Sequence, residues 1–271
     1  MDVIKNGNDI IIKNIECFDL GLSVDCGQAF RWYPLEDGSW SGVVKGKELR
    51  VKQDDNGIVF YNTSEEDFNS VWRVYFDLDR DYKAIISSYN EENLRTACRE
   101  YEGIRILKQD EWEAVCSFII SANNNIPRIK GIIERFCNAF GEKTGDRYSF
   151  PCPETVAELT VEDLAVIRSG FRAKYIIDAA QKISSGQVDL ASVGSMEFSE
   201  AKAELLKIKG VGEKVAQCSL LYGFGRLEAF PVDVWVNRII SELYPSGLPE
   251  CIRGSEGIAQ QYLFHWRRNL E

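Results

Sequence analysis

The sequence predicts an α+β protein, with an antiparallel β domain at the N-terminal end and a helical region after it. Two observations support this prediction. Short segments rich in β-branched and aromatic residues, separated by turns that contain Gly, Asp or Asn, fill the first eighty or so residues. From about Asp81, apolar residues recur instead at three- and four-residue spacing, which is typical of amphipathic helices. We therefore predict a β-rich domain at residues 1–82 and a helical region at residues 83–271.

Individual segments support each part of this division. The predicted strands are DIIIKN, AFRWY, SWSGVV, KELRVKQ and GIVFYN. The predicted helices are EWEAVCSFIISANNN, IPRIKGIIERFCNAF, TVEDLAVIRSG, YIIDAAQKISSG and SEAKAELLKIKG. The last three helical segments each end near a glycine, as helix C-termini often do. No flexible linker marks the boundary between the two parts, so its position depends on the change of pattern alone.

Composition and charge limit the classes of function. The chain is 45% hydrophobic and 27% charged, and no apolar run approaches the ~18 residues that a membrane span requires. It opens without a secretory signal pattern, and its eight cysteines include no CxxC pair, so we expect a reduced cytoplasm and no structural zinc. A formal charge of −10 argues against a general nucleic-acid binder, because Lys and Arg supply phosphate affinity. A local basic face can still coexist with acidic flanks.

The stretch AELLKIKGVGEKVAQCSLLYGF predicts two helices joined by a hairpin, at about residues 200–223. Gly210 and Gly212 permit the backbone angles of a tight turn and allow the chain to approach another surface. The second helix begins at about Glu213, where free amide groups and the positive end of the helix dipole suit a phosphate. An ordinary helical hairpin explains the two glycines equally well, so the neighbouring residues have to distinguish the two interpretations.

Lys214 lies in the first turn of this second helix, where the dipole disfavours the charged form of an amine. A neutral, partly desolvated amine is a nucleophile that forms Schiff bases. Cys218 follows four residues later on the same helix face, and its sulfur suits the wall of a pocket for an aromatic group. A solvated lysine and a core cysteine are the ordinary interpretations of these residues taken singly.

Asp233 supplies a carboxylate shortly after the hairpin. Pro231 stiffens the approach to it, and Asp is a favoured N-cap for the helix VWVNRIISELY. Capped amide groups hold a carboxylate ionised, and if the two helices pack together, this one lies near Lys214. There it would stabilise a cationic sugar transition state. Capping alone explains Asp233, whereas capping together with Lys214 favours catalysis.

The stretch LKIKGVGEKVAQCSLLYGFGRLEAFPVDVW resembles the helix-hairpin-helix-Gly/Pro-Asp signature of base-excision DNA glycosylases, and Lys214 is typical of their bifunctional glycosylase/lyases. Four further stretches are similar to the 8-oxoguanine DNA glycosylase branch: CGQAFRW (26–32), SFIISANNNIPRI (117–129), GFRAKY (170–175) and GIAQQYLF (257–264). The resemblance covers nearly the whole chain. It implies an N-terminal domain similar to the TATA-binding-protein fold, followed by a helical region that houses the site.

The resemblance also implies a catalytic pair and a base pocket. Lys214 is then the nucleophile on the sugar, and Asp233 is its electrostatic and proton-handling partner. The implied base-binding residues are Cys218 and Phe264, which sandwich the extruded base; Gln260, which reads its Watson–Crick edge; and Gly27, whose carbonyl accepts a hydrogen bond from the oxidised base. Without the resemblance, Cys218 and Phe264 would be core residues and Gly27 a turn glycine.

Further residues are implied to contact the DNA around the lesion. Asn123 fills the hole left in the duplex, Arg128 and Arg172 contact the orphaned cytosine, and Phe171 wedges beside it. Relatives often have Tyr at the position of Phe171, and better-known members have a His that contacts phosphate or substrate where this chain has Trp235. Taken singly, the three asparagines are a cap and polar turn, and both arginines are solvated.

The implied function is excision of 8-oxoguanine, preferably opposite cytosine, from duplex DNA by base flipping, a Schiff base on Lys214 and β-elimination. No cofactor is required. A structural Na⁺, K⁺ or Ca²⁺ ion is expected on the backbone carbonyls of Leu206, Ile208 and Val211. The expected partner is double-stranded DNA that contains oxidised guanine. We expect a monomer that is not secreted and, in a prokaryote, is associated with the nucleoid.

Two rival hypotheses belong to different classes. A non-catalytic DNA-binding module would use the hairpin for phosphate contact alone, and it would not need Lys214 and Asp233 together with the base-pocket residues. A glycosylase for alkylated bases keeps the Asp but usually lacks the Lys, so Lys214 distinguishes the two enzymes. The iron–sulfur branch is disfavoured because Cys251 is the only cysteine after Cys218.

Overall fold

A six-stranded antiparallel sheet organises the N-terminal part of the protein in the computed structural model, which describes residues 1–270. Its strands are β1 (Asp2–Asn6), β2 (Asp9–Lys13), β3 (Trp32–Pro34), β4 (Trp40–Val44), β5 (Lys47–Asp54) and β6 (Gly57–Tyr61). They lie in the order β1-β2-β6-β5-β4-β3. Each predicted strand segment overlaps one of them. β1 was not predicted, and since its residues are all exposed, it lacks the buried alternation of a half-buried strand.

Helices dominate the rest of the chain. They are α1 (Leu20–Asp25), α2 (Glu65–Asp67), α3 (Arg73–Tyr75), α4 (Tyr82–Ser88), α5 (Glu92–Glu100), α6 (Glu111–Ser121), α7 (Ile126–Phe140), α8 (Pro153–Ala157), α9 (Ala173–Ser184), α10 (Leu190–Val193), α11 (Phe198–Leu206), α12 (Glu213–Tyr222), α13 (Val234–Leu243) and α14 (Glu256–Arg268). Short 3₁₀ turns occur at Asp163–Ile167, Gly170–Arg172 and Glu250–Ile252, and a small hairpin pairs β7 (Lys143–Thr144) with β8 (Arg147–Tyr148). The predicted α+β class is confirmed.

Two details differ from the sequence prediction. The helix predicted in TVEDLAVIRSG is only a 3₁₀ turn, because Arg168 adopts a left-handed conformation with φ 59° that ends it. Helix also occurs inside the region predicted as sheet: α2 continues through a π-helical turn (Phe68–Trp72) into α3. The pieces are short, so their apolar residues produce no sustained helical period. Phe68 and Phe76 from this segment pack edge-on against Phe60 of β6, at centroid distances of 5.3 and 5.8 Å.

The helical region packs around α6, whose residues from Trp112 to Ile120 are all buried. Helices α7, α9 and α12 contact it. The sheet has its own apolar core, yet Phe30 from the N-terminal part packs into the helical core and Leu107 packs into the sheet core. The two cores therefore interlock, and the boundary at residue 82 stays a prediction. Among the helices of residues 1–270, none combines the length and apolarity needed to span a membrane.

Candidate active site

The predicted hairpin joins α11 to α12, and α12 begins at Glu213 as expected. Gly210 has φ +84°, and a Cβ at this position would lie 2.4–2.9 Å from ring atoms of Tyr175 on α9. The turn therefore packs directly on this ring, which only glycine allows. Gly212 is the N-cap residue of α12 and provides no side-chain cap, and no atom lies within 4 Å of where its Cβ would be. The space beside this N-cap residue is therefore open.

Lys214 projects from the first turn of α12 toward the C-terminal end of α6. Its Nζ donates a hydrogen bond to Ser121 Oγ at 3.2 Å, and Ser121 Oγ donates to the Phe118 carbonyl at 2.8 Å. The amine also lies 5.4 Å from the centroid of the Phe118 ring. A hydroxyl that already donates to a carbonyl offers its lone pairs to the amine, so Ser121 orients Lys214. Ser121 was not identified from the sequence.

Asp233 caps α13, as predicted: its Oδ1 accepts a hydrogen bond from the Val236 amide at 2.9 Å. Within residues 1–270, no ion pair joins this carboxylate to Lys214. Both groups nevertheless act on Cys218. Burial raises the pKa of the Cys218 thiol, while the positive charge of Lys214 lowers it and the negative charge of Asp233 raises it further. The lysine and the carboxylate therefore approach the same buried sulfur from two helices.

Lys214 and Asp233 open into one cleft of about 900 Å³ between α6, the hairpin, α13 and α14. Eight of the sequence-predicted residues line it: Gly27, Asn123, Gly210, Gly212, Lys214, Asp233, Trp235 and Phe264. Cys218 and Gln260 do not line its surface, and each is only 4% exposed. Phe30, Phe118 and Ile126 add apolar surface. Such a cleft, apolar with a few polar groups, suits a flat heterocyclic ligand.

The far wall of the cleft combines Gly27 with α14. Gly27 has φ +95°, and a Cβ there would lie 3.3 Å from Ile126 Cδ1 and 3.7 Å from Phe264 Cε1. Gln260, one turn before Phe264, is buried, and its Oε1 has no hydrogen-bond partner among residues 1–270. Arg268, one turn after Phe264, also lines the cleft, with its guanidinium 5.4 Å from the Phe264 ring centroid. Arg268 was not identified, although its i,i+4 spacing to Phe264 placed it on the same helix face.

The three asparagines between α6 and α7 have separate tasks. Asn125 caps α7 by accepting from the Arg128 amide at 3.0 Å, and Asn124 donates to the Ile120 carbonyl at 3.0 Å. Asn123 is exposed and adopts a left-handed backbone conformation, with φ 49°. The ordinary interpretation as a cap and polar turn holds for Asn125. Asn123 is exposed, and its entry into a duplex stays a prediction.

Arg172 is buried, so the expectation that it is solvated when taken by itself is wrong. Its guanidinium donates to the Ala122 carbonyl at 2.5 and 3.0 Å, to the Asn123 carbonyl at 2.8 Å and to the Ser169 carbonyl at 3.2 Å. Burial, followed by the nearby charge of Arg128, lowers the pKa of Arg172. Arg172 therefore holds the loop that presents Asn123, and its contact with cytosine stays a prediction.

The other implied DNA contacts lie at the rim. Arg128 is exposed on the first turn of α7. Phe171 is 54% exposed and lies against Arg172, whose guanidinium is 4.5 Å from the ring centroid. Trp235 is partly buried, and the guanidinium of Arg238 lies 5.0 Å from its ring centroid. Phe171 is therefore an exposed aromatic ring beside one guanidinium, and its contact with DNA stays a prediction.

The implied ion site lies on the hairpin turn. The Ile208 carbonyl accepts the Val211 amide at 3.1 Å, and the adjacent Lys207 carbonyl accepts Lys182 Nζ at 2.6 Å. No cluster of three or more His, Cys, Asp or Glu side chains suited to a metal occurs in the part of the chain that the structure describes. The ion on the carbonyls of Leu206, Ile208 and Val211 stays a prediction.

Comparisons with known proteins identify the family to which the chain belongs. The family model of the 8-oxoguanine DNA glycosylase N-terminal domain matches residues 10–115, and that of the HhH-GPD superfamily of base excision DNA repair proteins matches residues 116–249. A probable N-glycosylase/DNA lyase from Methanothermobacter thermautotrophicus is 34% identical, with 93% of this chain and 94% of the relative covered. The chain belongs to the 8-oxoguanine DNA glycosylase family.

Solved structures of this family superpose on nearly the whole chain. The structure of MBOgg1 in complex with a low-affinity DNA ligand is 40% identical, with a TM-score of 0.92 and 99% and 98% of the two chains covered. The Clostridium acetobutylicum 8-oxoguanine glycosylase/lyase, in complex with double-stranded DNA containing cytosine opposite 8-oxoguanine, is 37% identical, with a TM-score of 0.91 and 100% and 98% covered. An Archaeoglobus fulgidus 3-methyladenine DNA glycosylase, at 19% identity and a TM-score of 0.74, shares the fold alone.

Proposed function

We propose that this protein excises 8-oxoguanine, preferably opposite cytosine, from duplex DNA and then nicks the strand through a Schiff base on Lys214. One observation carries the proposal: an amine and a carboxylate from two helices, Lys214 and Asp233, open into a single cleft whose far wall is built from Gly27 and Phe264. The Clostridium relative was solved with cytosine-paired 8-oxoguanine in double-stranded DNA, which supports this substrate for a chain 37% identical to it.

The base would enter the cleft after it is flipped out of the duplex. Phe264 provides an aromatic face, and Cys218 lies buried nearby on α12. Gln260 presents a buried oxygen that lacks a protein partner, and the Watson–Crick edge of a guanine carries N–H donors that fit it. The Gly27 carbonyl would accept the hydrogen that oxidation places on N7 and would repel the lone pair of normal guanine at this position. Loss of such a pairing costs about 1–3 kcal/mol.

The chemistry then follows from the amine and the carboxylate. The unprotonated Lys214 nitrogen forms a bond to the anomeric carbon as the glycosidic bond breaks, and the bonding electron pair leaves with the base, which takes up a proton. Asp233 supplies negative charge beside the sugar while positive charge develops on it. Opening of the sugar ring gives a Schiff base. Loss of a proton from C2′ then expels the 3′ phosphate, and water releases Lys214 from the product.

Borohydride trapping tests the proposal directly. Wild-type protein, Lys214→Gln and the control Lys52→Gln, which changes a lysine of the sheet far from the cleft, are incubated with duplex that contains one 8-oxoguanine opposite cytosine. We expect a covalent protein–DNA adduct with wild type and with Lys52→Gln. Lys214→Gln should give no adduct and should still bind the duplex. A wild-type protein that leaves 8-oxoguanine in place, or a Lys214→Gln protein trapped at wild-type yield, would contradict the proposal.

A further inference from the structure

Arg268 is a residue of the cleft to which the proposed function gives no task. It is the last residue of α14, one helical turn beyond Phe264. Its guanidinium lies 5.4 Å from the Phe264 ring centroid, and its Nη1 lies 3.4 Å from the point where a Cβ on Gly27 would be. The guanidinium therefore adjoins the two residues that are proposed to hold and read the base.

The Nη1 atom of Arg268 is buried and has no hydrogen-bond partner among residues 1–270. No carboxylate within that range forms an ion pair with Arg268. The neighbouring His265 is neutral at pH 7, because burial and then the charge of Arg268 lower its pKa to about 4. A buried charged donor without an acceptor is costly. When the residue that carries such an atom lines a cleft, a ligand that supplies the missing acceptor explains it.

The lesion carries an acceptor of the required kind beside the hydrogen that Gly27 would bind. Oxidation of guanine at C8 turns N7 into an N–H donor and places a carbonyl oxygen, O8, on the adjacent carbon. The two groups form the edge of a cyclic urea, with a donor and an acceptor side by side. A protein surface complementary to this edge needs an acceptor next to a donor. Gly27, whose carbonyl would be the acceptor, and the Arg268 guanidinium, which would be the donor, are neighbouring groups.

We propose that Arg268 donates a hydrogen bond to O8 of the flipped base and is a specificity-determining residue of this protein, beside Gly27. The inference rests on the proposed function and deepens it. Normal guanine has a hydrogen on C8 and offers no acceptor there, so the contact belongs to the oxidised base alone. Hydrogen bonds from charged donors are stronger than neutral ones, so we expect the loss of this contact to weaken lesion binding tenfold to a hundredfold.

Binding measurements with the non-cleaving Lys214→Gln protein test the contact. Arg268→Met keeps the length of the side chain but removes the donors, and Arg267→Met is the matched control, because Arg267 pairs with Glu242 on α13 instead of lining the cleft. Three duplexes are compared, which contain 8-oxoguanine, 8-oxoadenine or a tetrahydrofuran abasic analogue opposite cytosine. We expect Arg268→Met to weaken binding of both oxidised bases tenfold or more and to leave the abasic duplex within about threefold. Arg268→Lys, which keeps one charged donor group, should bind the oxidised bases more tightly than Arg268→Met and more weakly than the protein that retains Arg268.

Several outcomes would overturn the assignment. Equal weakening on the abasic duplex would make Arg268 a backbone contact, and weakening confined to 8-oxoguanine would point to the oxygen on C6, which 8-oxoadenine lacks. Unchanged binding of every duplex would show that the guanidinium does not touch the base. Failure of the proposed function looks different: the wild-type protein would then not release 8-oxoguanine at all. A wild-type protein that cleaves, together with an Arg268→Met protein that binds normally, would refute the present inference alone.

Discussion

The two walls of the cleft differ in how their polar groups are satisfied. We call Lys214 and Asp233 the reaction wall. The reading wall is Gly27, Phe264 and Arg268, which line the cleft, together with Gln260, which is buried one helical turn before Phe264. On the reaction wall, each polar side chain has a partner in the protein: Lys214 donates to Ser121, and Asp233 accepts from the Val236 amide. On the reading wall, Gln260 Oε1 and Arg268 Nη1 are buried without one among residues 1–270.

This difference indicates a division of labour between positioning and recognition. Groups that act on a developing charge are most effective when the protein holds them in place before the substrate arrives. Groups that identify a base must keep their hydrogen-bonding capacity for that base, and they are costly in the free protein for the same reason. Substitutions on the reaction wall should therefore change rates, whereas substitutions on the reading wall should change which base is accepted.

Asp233→Asn should have the largest effect. It removes a negative charge from beside the sugar while keeping a good N-cap, so we expect the single-turnover excision rate to fall by about 10²–10³, with the melting temperature little changed. Asp81→Asn is the matched control, because Asp81 caps α4 in the same way, through a hydrogen bond from the Ala84 amide at 2.8 Å. Excision by Asp233→Asn within a few-fold of wild type would show that Asp233 is only a cap.

Gly27→Ala tests the reading wall. A Cβ would crowd Ile126 Cδ1 at 3.3 Å, would contact Arg268 and Phe264 at 3.4 and 3.7 Å, and would strain a backbone with φ +95°, so the carbonyl should move. We expect a tenfold to hundredfold loss in 8-oxoguanine excision, with binding of an abasic duplex largely kept. Gly38→Ala is the control for backbone strain alone, because Gly38 has φ +79° and no atom lies within 4 Å of where its Cβ would be. If excision, abasic-site binding and melting temperature fall in proportion, Gly27 is a folding residue.

Arg128 and Arg172, the two arginines implied to contact the opposite cytosine, allow a finer comparison. Arg128 is exposed, whereas Arg172 holds the carbonyls of Ala122 and Asn123. Arg128→Ala should reduce the preference for cytosine over the other opposite bases by about tenfold at unchanged stability, since a guanidinium matches the acceptors of cytosine. Arg172→Ala should reduce it similarly and also lower the free energy of unfolding by about 1–3 kcal/mol. Excision rates against all four opposite bases and unfolding in urea, measured for both variants, distinguish these roles. If both variants keep the wild-type preference for cytosine, other residues determine that preference.

Local sequence predicted the parts of the site that local interactions build. The start of α12 and the Asp233 cap depend on residues within one helical turn, so their signals lie in adjacent letters of the sequence. The reason for Gly210 does not lie there, because the ring of Tyr175 that excludes a Cβ comes from a different helix. Burial of Arg172 was missed for the same reason: two of its three acceptor carbonyls, those of Ala122 and Asn123, lie about fifty positions earlier in the chain.

The partner of Lys214 shows this limit most clearly. Ser121 lies 93 positions before Lys214, and its place beside the amine results from the packing of α6 against α12. Nothing in SFIISANNN distinguishes this serine from one at any helix end. Local sequence indicated the lysine and the carboxylate, and the family resemblance gave them their roles, whereas the tertiary structure was needed to find the group that orients the lysine.

Ser121→Ala should have the smallest effect of the series. It removes the hydrogen-bond acceptor at 3.2 Å from Lys214 Nζ and leaves both residues of the reaction wall, Lys214 and Asp233, unchanged. A net hydrogen bond contributes about 0.5–1.5 kcal/mol, so we expect a two- to tenfold fall in the excision rate and in the rate of borohydride-trapped adduct formation. Binding of an abasic duplex should not change, and Ser121→Thr, which keeps the hydroxyl, should restore most of the rate. If Ser121→Ala forms the adduct at the wild-type rate, α12 alone orients Lys214. If Ser121→Thr loses as much of the rate as Ser121→Ala, the effect comes from packing at the end of α6 and not from the hydroxyl.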